Sequence, residues 1–478
     1  MKYLKLVSLL ILLTGLSAGE VFYEVDADSK SLEVASSVKL ECDSDGSGCP
    51  VSRWTARLSV PASAQIQDVS SENGEVLDYE RTGNTLTVRT ETPPTRSELI
   101  NVEYVIDRNA QKVTENLYTR SISLPGFSGE QTSGTLTVQD FISARSGNGF
   151  RYSVDKNTVN FTGTGATNFV TAFGQGDKAE YFEFFGKPVE NSSKAYKISV
   201  GTLGVTNRFE RFPAAVIDTS VYNRTVNEWS AGQYTNATIY LRDGLGEDEK
   251  PVLAHETVHG LNDQALGWRS RSSWFDEGTA KYVEFLVRKS SGDYTREVFG
   301  EPVSYTRNRE GRRYRYTLPS EGDKDRLWAY YESNSSWMKN WGPKQGNREF
   351  GYAYSELVVR NYVRNGGRLS QLYQDIRDES YRTDEEKWRG LSKYVDTTPC
   401  KYESRDRFDS CLDELNSFDY PVYTVTDIKK TNRSLNVQQL EVEEPEPVRR
   451  PESIEVQRAS SWLDGFFESL MGFLNSWK

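Results

Sequence analysis

The chain has 478 residues, with 58 basic and 69 acidic side chains and a formal net charge of −11. Such an acidic surface favours solubility and argues against a nucleic-acid backbone as partner. Long as it is, the chain holds only two histidines, His255 and His259, four residues apart.

Residues 1–18 read as a secretory signal: Lys2 and Lys5 form a positive start, Leu6 to Leu16 an apolar core, and Ser17, Ala18 and Gly19 a small-residue cleavage region. The apolar run is too short to span a bilayer comfortably. Four cysteines agree with export, since an even count in a secreted chain favours disulfides. Cys42 lies near Cys49 and Cys400 near Cys411, but three connectivities stay open. Six N-x-[ST] sites, at Asn160, Asn191, Asn223, Asn236, Asn334 and Asn432, are compatible with surface glycosylation.

Residues 20–186 read as β. Thr55–Val60, Thr85–Val88 and Leu99–Val105 alternate with period two, and turn signals such as Asp43–Gly48, Glu72–Gly74 and Ser146–Gly149 separate the runs. The pattern predicts a sandwich-like domain or two smaller β-domains, serving substrate presentation, surface attachment or support. From about Lys194 the text becomes mixed, with strands predicted at Tyr196–Val200, Ala214–Ile217 and Thr238–Leu241. Asp243–Gly246 turns the chain, and Glu247, Asp248 and Glu249 supply negative charge where a helix begins. Pro251 suits the first turn, Val252, Leu253, Val258 and Leu261 face inward, and Gly267 is the predicted end.

This helix carries Ala254-His255-Glu256-Thr257-Val258-His259-Gly260. Residues i and i+4 share one helical face, so both imidazoles can reach one metal ion. Glu256 sits about 100° round the helix, where its carboxylate can reach a metal-bound water. This is the H-E-x-x-H arrangement in which neutral imidazoles bind zinc and Glu acts as general base. Catalytic zinc takes three protein ligands and an open position. With no third histidine, the remaining ligand must be a carboxylate or, less favourably, a cysteine.

Downstream stands Trp274-Phe275-Asp276-Glu277-Gly278-Thr279-Ala280-Lys281-Tyr282-Val283-Glu284. W-x-x-E-G-x-A-x-Y-x-E after H-E-x-x-H resembles the gluzincin superfamily, which includes the M1 aminopeptidases and the peptidase MA family. The resemblance implies one catalytic Zn2+ held by His255, His259 and Glu277, with Glu284 as the family's trailing Glu. It also implies an edge strand at Ala237–Arg242, where Ala237, Thr238, Ile239 and Tyr240 would hold an extended peptide through main-chain hydrogen bonds. Phe350–Val363, a glycine turn and Leu369–Ile376 are similar to the same family. There a tyrosine stabilises the tetrahedral oxyanion, here Tyr352 with Tyr354 as the alternative. The two lie about 200° apart on a helix, so only one can face the metal.

The match spans roughly Ala237 to Ile376 and departs from M1 in two respects. The gap from His259 to Glu277 is one residue shorter than the usual M1 spacing. M1 enzymes also carry G-x-M-E-N, whose Glu binds a free amino terminus, whereas this chain has Ala231-Gly232-Gln233-Tyr234-Thr235-Asn236, with no acid. Endo- and exopeptidase action therefore both stay open.

Aromatic residues crowd 293–345, as a lid or as packing. A Glu/Pro-rich linker covers 436–460, and apolar positions from Trp462 to Trp477 predict an amphipathic helix at 461–478. That helix either contacts a membrane surface or partner, or folds back on the body. The whole predicts an α+β chain: leader, β-rich domain at 20–186, metallopeptidase domain at 194–435 with a mostly helical C-terminal part, linker and terminal helix. The expected function is a secreted or surface-attached zinc peptidase acting on a peptide or protein substrate. The alternative is a binding or adhesion protein on the same scaffold, against which the retained ligands and base argue; hydrolysis of a non-peptide substrate is a third reading.

Overall fold

The computed structural model describes residues 16–42, 54–90, 97–126, 130–146, 150–226, 230–270, 272–292, 297–300, 303–309, 312–318, 323–333, 336–377, 379, 381, 383–425 and 442–443. Most of the leader, Cys49, Asn334, Asn432, and nearly all of the linker and terminal helix lie outside the described residues. Among the described residues no helix is long and apolar enough to cross a membrane.

The chain is α+β, with a β-rich N-terminal region and a helical C-terminal part. In the first region a seven-stranded sheet runs, in spatial order, Arg151–Asp155, Thr158–Thr164, Gln131–Val138, Leu16–Ala27, Ser31–Cys42, Ser97–Asp107 and Gln65–Ser71. A four-stranded sheet holds Phe141–Ser146, Thr167–Gly174, Leu117–Leu124 and Gln111–Lys112. Alternate residues of the first sheet (Val21, Tyr23, Val25, Val34) bury against Ile122, Leu124 and Phe169 of the second in one apolar core. That is how period-two strands form a sandwich.

The second region is built on a five-stranded sheet ordered Asp177–Lys178, Phe182–Gly186, Phe212–Ile217, Thr238–Arg242, Gly232–Thr235. Its centre is parallel: Phe212–Ile217 pairs with Phe182–Gly186 on one side and Thr238–Arg242 on the other. Every residue of Phe212–Ile217 is buried, as expected of a strand covered on both faces. Helices Ser192–Leu203, Glu249–Ser270, Ser273–Lys289, Arg348–Arg364, Leu369–Ile376 and Arg405–Ser417 contribute buried residues to a single core with this sheet.

Three local expectations change. Tyr196–Val200 is not a strand but part of helix Ser192–Leu203, closed by Gly204 in the left-handed conformation at φ 67°. Tyr196, Ile198 and Val200 alternate with Lys197 and Ser199 as a strand would, but Ser199 is buried with its apolar neighbours, its hydroxyl donating to the Ala195 carbonyl one helical turn back, so the alternation marks no outer face. The zinc-motif helix continues through Gly267 to Ser270. Thr238–Arg242 is not the sheet edge, because Gly232–Thr235 folds back beside it in an antiparallel hairpin.

Asn236 (φ 51°) and Ala237 (φ 56°) form the two-residue turn of this hairpin. Ala237 occupies a position that usually asks for glycine. Its carbonyl accepts a 2.7 Å hydrogen bond from Ser143 Oγ, so the β-rich region holds the turn in place. Arg145 adds an ion pair to Asp263 at 3.1 Å. Farther on, a disulfide joins Cys400 to Cys411 with Cα atoms 5.5 Å apart.

Helix Ser273–Lys289, which carries the second motif, meets a third helix at Gly278. A Cβ there would lie 2.4 Å from the Ser355 carbonyl oxygen of helix Arg348–Arg364. The glycine of the E-G pair is therefore a backbone contact point, and Glu277 beside it takes its position from that contact. Gly278→Ala is expected to push the helices apart and cost about 1–3 kcal/mol, seen as a lower denaturant midpoint. An unchanged midpoint would contradict the close approach.

Candidate metal centre

Helix Glu249–Ser270 starts with Glu249 in its first turn and packs Leu253, Ala254, Val258 and Leu261 into the core. This orientation leaves His255, Glu256 and His259 on a face that is covered rather than solvated; all three are buried. The imidazole Nε2 atoms approach to 3.1 Å. Helix Ser273–Lys289 brings Glu277 across, its Oε2 lying 3.4 Å from His255 Nε2 and 3.3 Å from His259 Nε2. One donor atom from each of the three residues falls within 4.8 Å of the others, the arrangement of a site for a metal ion.

The far nitrogens of both rings face carboxylates. His255 Nδ1 lies 3.2 Å from Glu284 Oε2, and His259 Nδ1 lies 3.0 Å from Asp276 Oδ2. Such partners fix ring orientation and leave Nε2 as the donor for metal. Each carboxylate is itself held. Asn262 Nδ2 donates to Asp276 Oδ1 at 2.7 Å and to Thr279 Oγ1 at 3.2 Å, while the Tyr373 hydroxyl donates to Asn262 Oδ1. Glu284 meets Lys281 Nζ at 3.2 Å and Arg288 Nη2 at 3.0 Å. Asp276, Asn262, Lys281 and Tyr373 had no role in the sequence reading. Asp276 could have been found by its place directly before Glu277, whereas Tyr373 lies 111 positions from Asn262 and gives no local signal.

Glu256 points at the sheet edge. Tyr234 N–H donates to Glu256 Oε2 at 2.6 Å. A Cβ on Gly232 would come within 2.6 Å of Val252 Cγ1 and 2.9 Å of Glu256 Cγ, so only glycine lets the strand lie this close. Gly232–Thr235, half-buried along its length, is thus the strand over the site. Ala237, Thr238, Ile239 and Tyr240, expected to line a cleft, are buried instead, and from Ile239 to Leu241 the main chain pairs with neighbouring strands on both sides. Strand order is a tertiary property, which is why the family resemblance, laid on the sequence, pointed one strand too far.

The two tyrosines separate clearly. Tyr354 is buried against Phe350 and Tyr330, and its hydroxyl donates to the Thr397 carbonyl. Tyr352 is half-buried, its ring 5.5 Å from that of Trp341 and 5.3 Å from Lys281 Nζ. Lys281 stands one helical turn beyond Glu277 and pairs with Glu284, so the Tyr352 ring lies next to the lysine that meets the carboxylate partner of His255.

Burial and charge pull these groups in opposite directions. Burial alone would lower the pKa of both histidines, but the carboxylates win: Glu277 and Glu284 raise His255, and Asp276 and Glu277 raise His259 well above its ordinary value. Burial would raise Glu277, yet the imidazoles hold it below the usual carboxylate range. Glu284 is likewise low despite its burial, chiefly through Lys281. Glu256 shifts up, first through burial and then through repulsion by Glu277, against the pull of the histidines and the Tyr234 amide.

No family model matches this sequence, and no curated protein does. Among solved structures the chain is similar to the M1 zinc metallopeptidase from Deinococcus radiodurans, at 14% identity over 84% of this chain and 94% of that one, with a TM-score of 0.33. It is also similar to native yeast LTA4 hydrolase, at 10% identity over 84% of this chain and 68% of that one, with a TM-score of 0.35.

If Asp276 orients His259, Asp276→Ala is expected to weaken zinc binding by about 10–100-fold, measured by competition with a zinc-binding dye. Unaltered affinity would show that the contact orients nothing.

Proposed function

We propose that this chain is a zinc-dependent peptidase, with His255, His259 and Glu277 as metal ligands and Glu256 as general base. One observation carries the reading: two imidazole nitrogens and a carboxylate oxygen converge within 4.8 Å in a buried site. The donor set fits a zinc ion in two further ways. Glu277 Oε2 is buried, and its nearest polar neighbours among the described residues are the two imidazole Nε2 atoms at 3.4 and 3.3 Å, an acceptor and two ring nitrogens turned toward one point. Four buried carboxylates (Glu256, Asp276, Glu277, Glu284) crowd the site, while Lys281 and Arg288 both pair with Glu284 and Arg288 also serves Asp248, which leaves negative charge for a dication to balance.

Zinc bound there supplies Lewis-acid polarisation of a scissile carbonyl and a more acidic water. Glu256 would accept a proton from the attacking water as its oxygen bonds to the carbonyl carbon, and would give that proton to the amine nitrogen as the C–N bond breaks, a task suited to a carboxylate whose pKa burial has raised. The Tyr234 amide holds that carboxylate in place from the sheet edge. Edge strand Gly232–Thr235 offers its outward main chain to an extended peptide, and Tyr352 supplies a hydroxyl to the developing oxyanion. Export is part of the same proposal. It is supported by the leader-like residues 1–18, by exposed Asn160, Asn191 and Asn223 within sequons, and by the Cys400–Cys411 bridge.

The test compares the full-length chain with Glu256→Gln on an unfolded protein substrate. The wild type is expected to cleave, and the variant to lose on the order of a thousandfold in rate while keeping its zinc. Equal cleavage by both would overturn the assignment, and sequencing the product ends separates endo- from exopeptidase action.

A pH dependence follows from the raised histidines. They keep protons at pH values where ordinary imidazoles have lost them, and those protons must leave before the nitrogens bind metal. Zinc affinity is expected to fall as pH drops through these raised values and to rise above them. A flat affinity across that range, read by dye competition, would contradict this ligand set.

A further inference from the structure

Lys281 is part of neither the histidine pair nor the base, yet it meets both the carboxylate behind His255 and the ring of Tyr352. Its Nζ lies 3.2 Å from Glu284 Oε2, the same oxygen that faces His255 Nδ1 at 3.2 Å. On its other side the ammonium stands 5.3 Å from the centre of the Tyr352 ring. That is within the reach of a cation–π attraction, which strengthens where water is excluded; the Lys281 side chain is only 16% exposed.

Both arms of this contact are anchored. Glu284 is buried and cannot drift with the lysine, because Arg288 Nη2 holds its second oxygen at 3.0 Å. Across the tyrosine, Trp341 meets the Tyr352 ring edge-on at 5.5 Å with an interplanar angle of 81°. Trp341 is itself buried, and its indole N–H donates to the Gly346 carbonyl at 3.2 Å. It also fills the space above Gly351, where a Cβ would lie 1.9 Å from the indole ring. A half-buried tyrosine on helix Arg348–Arg364 is thus gripped between a fixed indole and a fixed ammonium. The direction of a phenol hydroxyl follows the plane of its ring, so gripping the ring aims the hydroxyl.

We infer that Lys281 is a positioning residue that clamps Tyr352 against Trp341 and so presents its hydroxyl to the oxyanion formed in the site. The inference deepens the peptidase reading and rests on it. Lys281 acts through the tyrosine, while Arg288 keeps Glu284 on His255 without it. Loss of Lys281 therefore slows the chemical step and leaves the metal bound.

The experiment is a double-mutant cycle on the full-length, zinc-loaded chain, with Lys281→Met, Tyr352→Phe, the double variant and Lys281→Arg. Zinc content is measured throughout, and kcat and KM are determined on an unfolded protein substrate. Lys281→Met is expected to lower kcat about tenfold with KM and zinc content unchanged. Tyr352→Phe is expected to lower it on the order of a hundredfold. The double variant should be no slower than Tyr352→Phe alone, because the lysine has nothing left to aim. Lys281→Arg, which keeps a cation for the ring, should restore most of the rate.

Wild-type kcat in Lys281→Met, or losses that multiply in the double variant, overturn the inference. Loss of zinc from Lys281→Met also overturns it, by placing the residue behind His255 instead. If the wild type cleaves nothing, the peptidase reading falls separately. The clamp is then judged by crystal structures of the wild type and Lys281→Met: a displaced Tyr352 ring supports it, and an unmoved ring refutes it.

Discussion

Buried charge is the constraint around which the second region is arranged. Glu256, Asp276, Glu277 and Glu284 all lie under one helix pair, and an ionised carboxylate taken out of water is costly unless something of opposite sign meets it. Lys281 and Arg288 meet Glu284, and the imidazoles meet Asp276 and Glu277. What remains is a net negative pocket with two ring nitrogens turned into it. The raised histidines and lowered Glu277 are the same fact seen from each partner: the carboxylates favour positive charge on the rings, and the rings favour the ionised carboxylate.

Holding like charges together requires rigid elements, and the fold provides them through close backbone contacts. Gly278 lets helix Ser273–Lys289 touch the main chain at Ser355, and Gly232 lets the sheet edge lie on Glu256. The β-rich region takes part as well. Ser143 fixes the turn at Ala237 and Arg145 pairs with Asp263 on the motif helix, so the sandwich braces the hairpin that covers the base. Of the roles that its sequence left open, structural support has a physical basis in these contacts.

How much of this was legible depends on the range over which each signal acts. His255, Glu256 and His259 share a helix by spacing alone, and Glu277 comes from the family resemblance of a short second motif, so these candidates could be grouped before any fold was known, and the structure brings His255, His259 and Glu277 together. The sandwich was legible too, because alternation is local to each strand. The strand over the site was not, since which of two neighbouring strands lies at a sheet edge depends on how the hairpin folds back. Helix Ser192–Leu203 was misread for a related reason: Tyr196 to Val200 alternates apolar and polar over five residues, and only the packing shows that Ser199 is buried with the apolar side chains. The partners of the ligands arrive from afar: Tyr373 reaches Asn262, and Trp341 meets Tyr352 across a turn. Tyr352 and Tyr354 could be told apart only by packing, which ties Tyr354 to Thr397 and leaves Tyr352 beside Lys281.

The central claim is that one dication sits between His255, His259 and Glu277, and zinc-edge X-ray absorption on the zinc-loaded, full-length chain tests it most directly. The account predicts one zinc per chain in a nitrogen and oxygen shell at about 2.0–2.2 Å with imidazole scattering, lost in Glu277→Gln or reduced by one oxygen. A sulfur shell at about 2.3 Å, or a spectrum unchanged by removing Glu277, would contradict it.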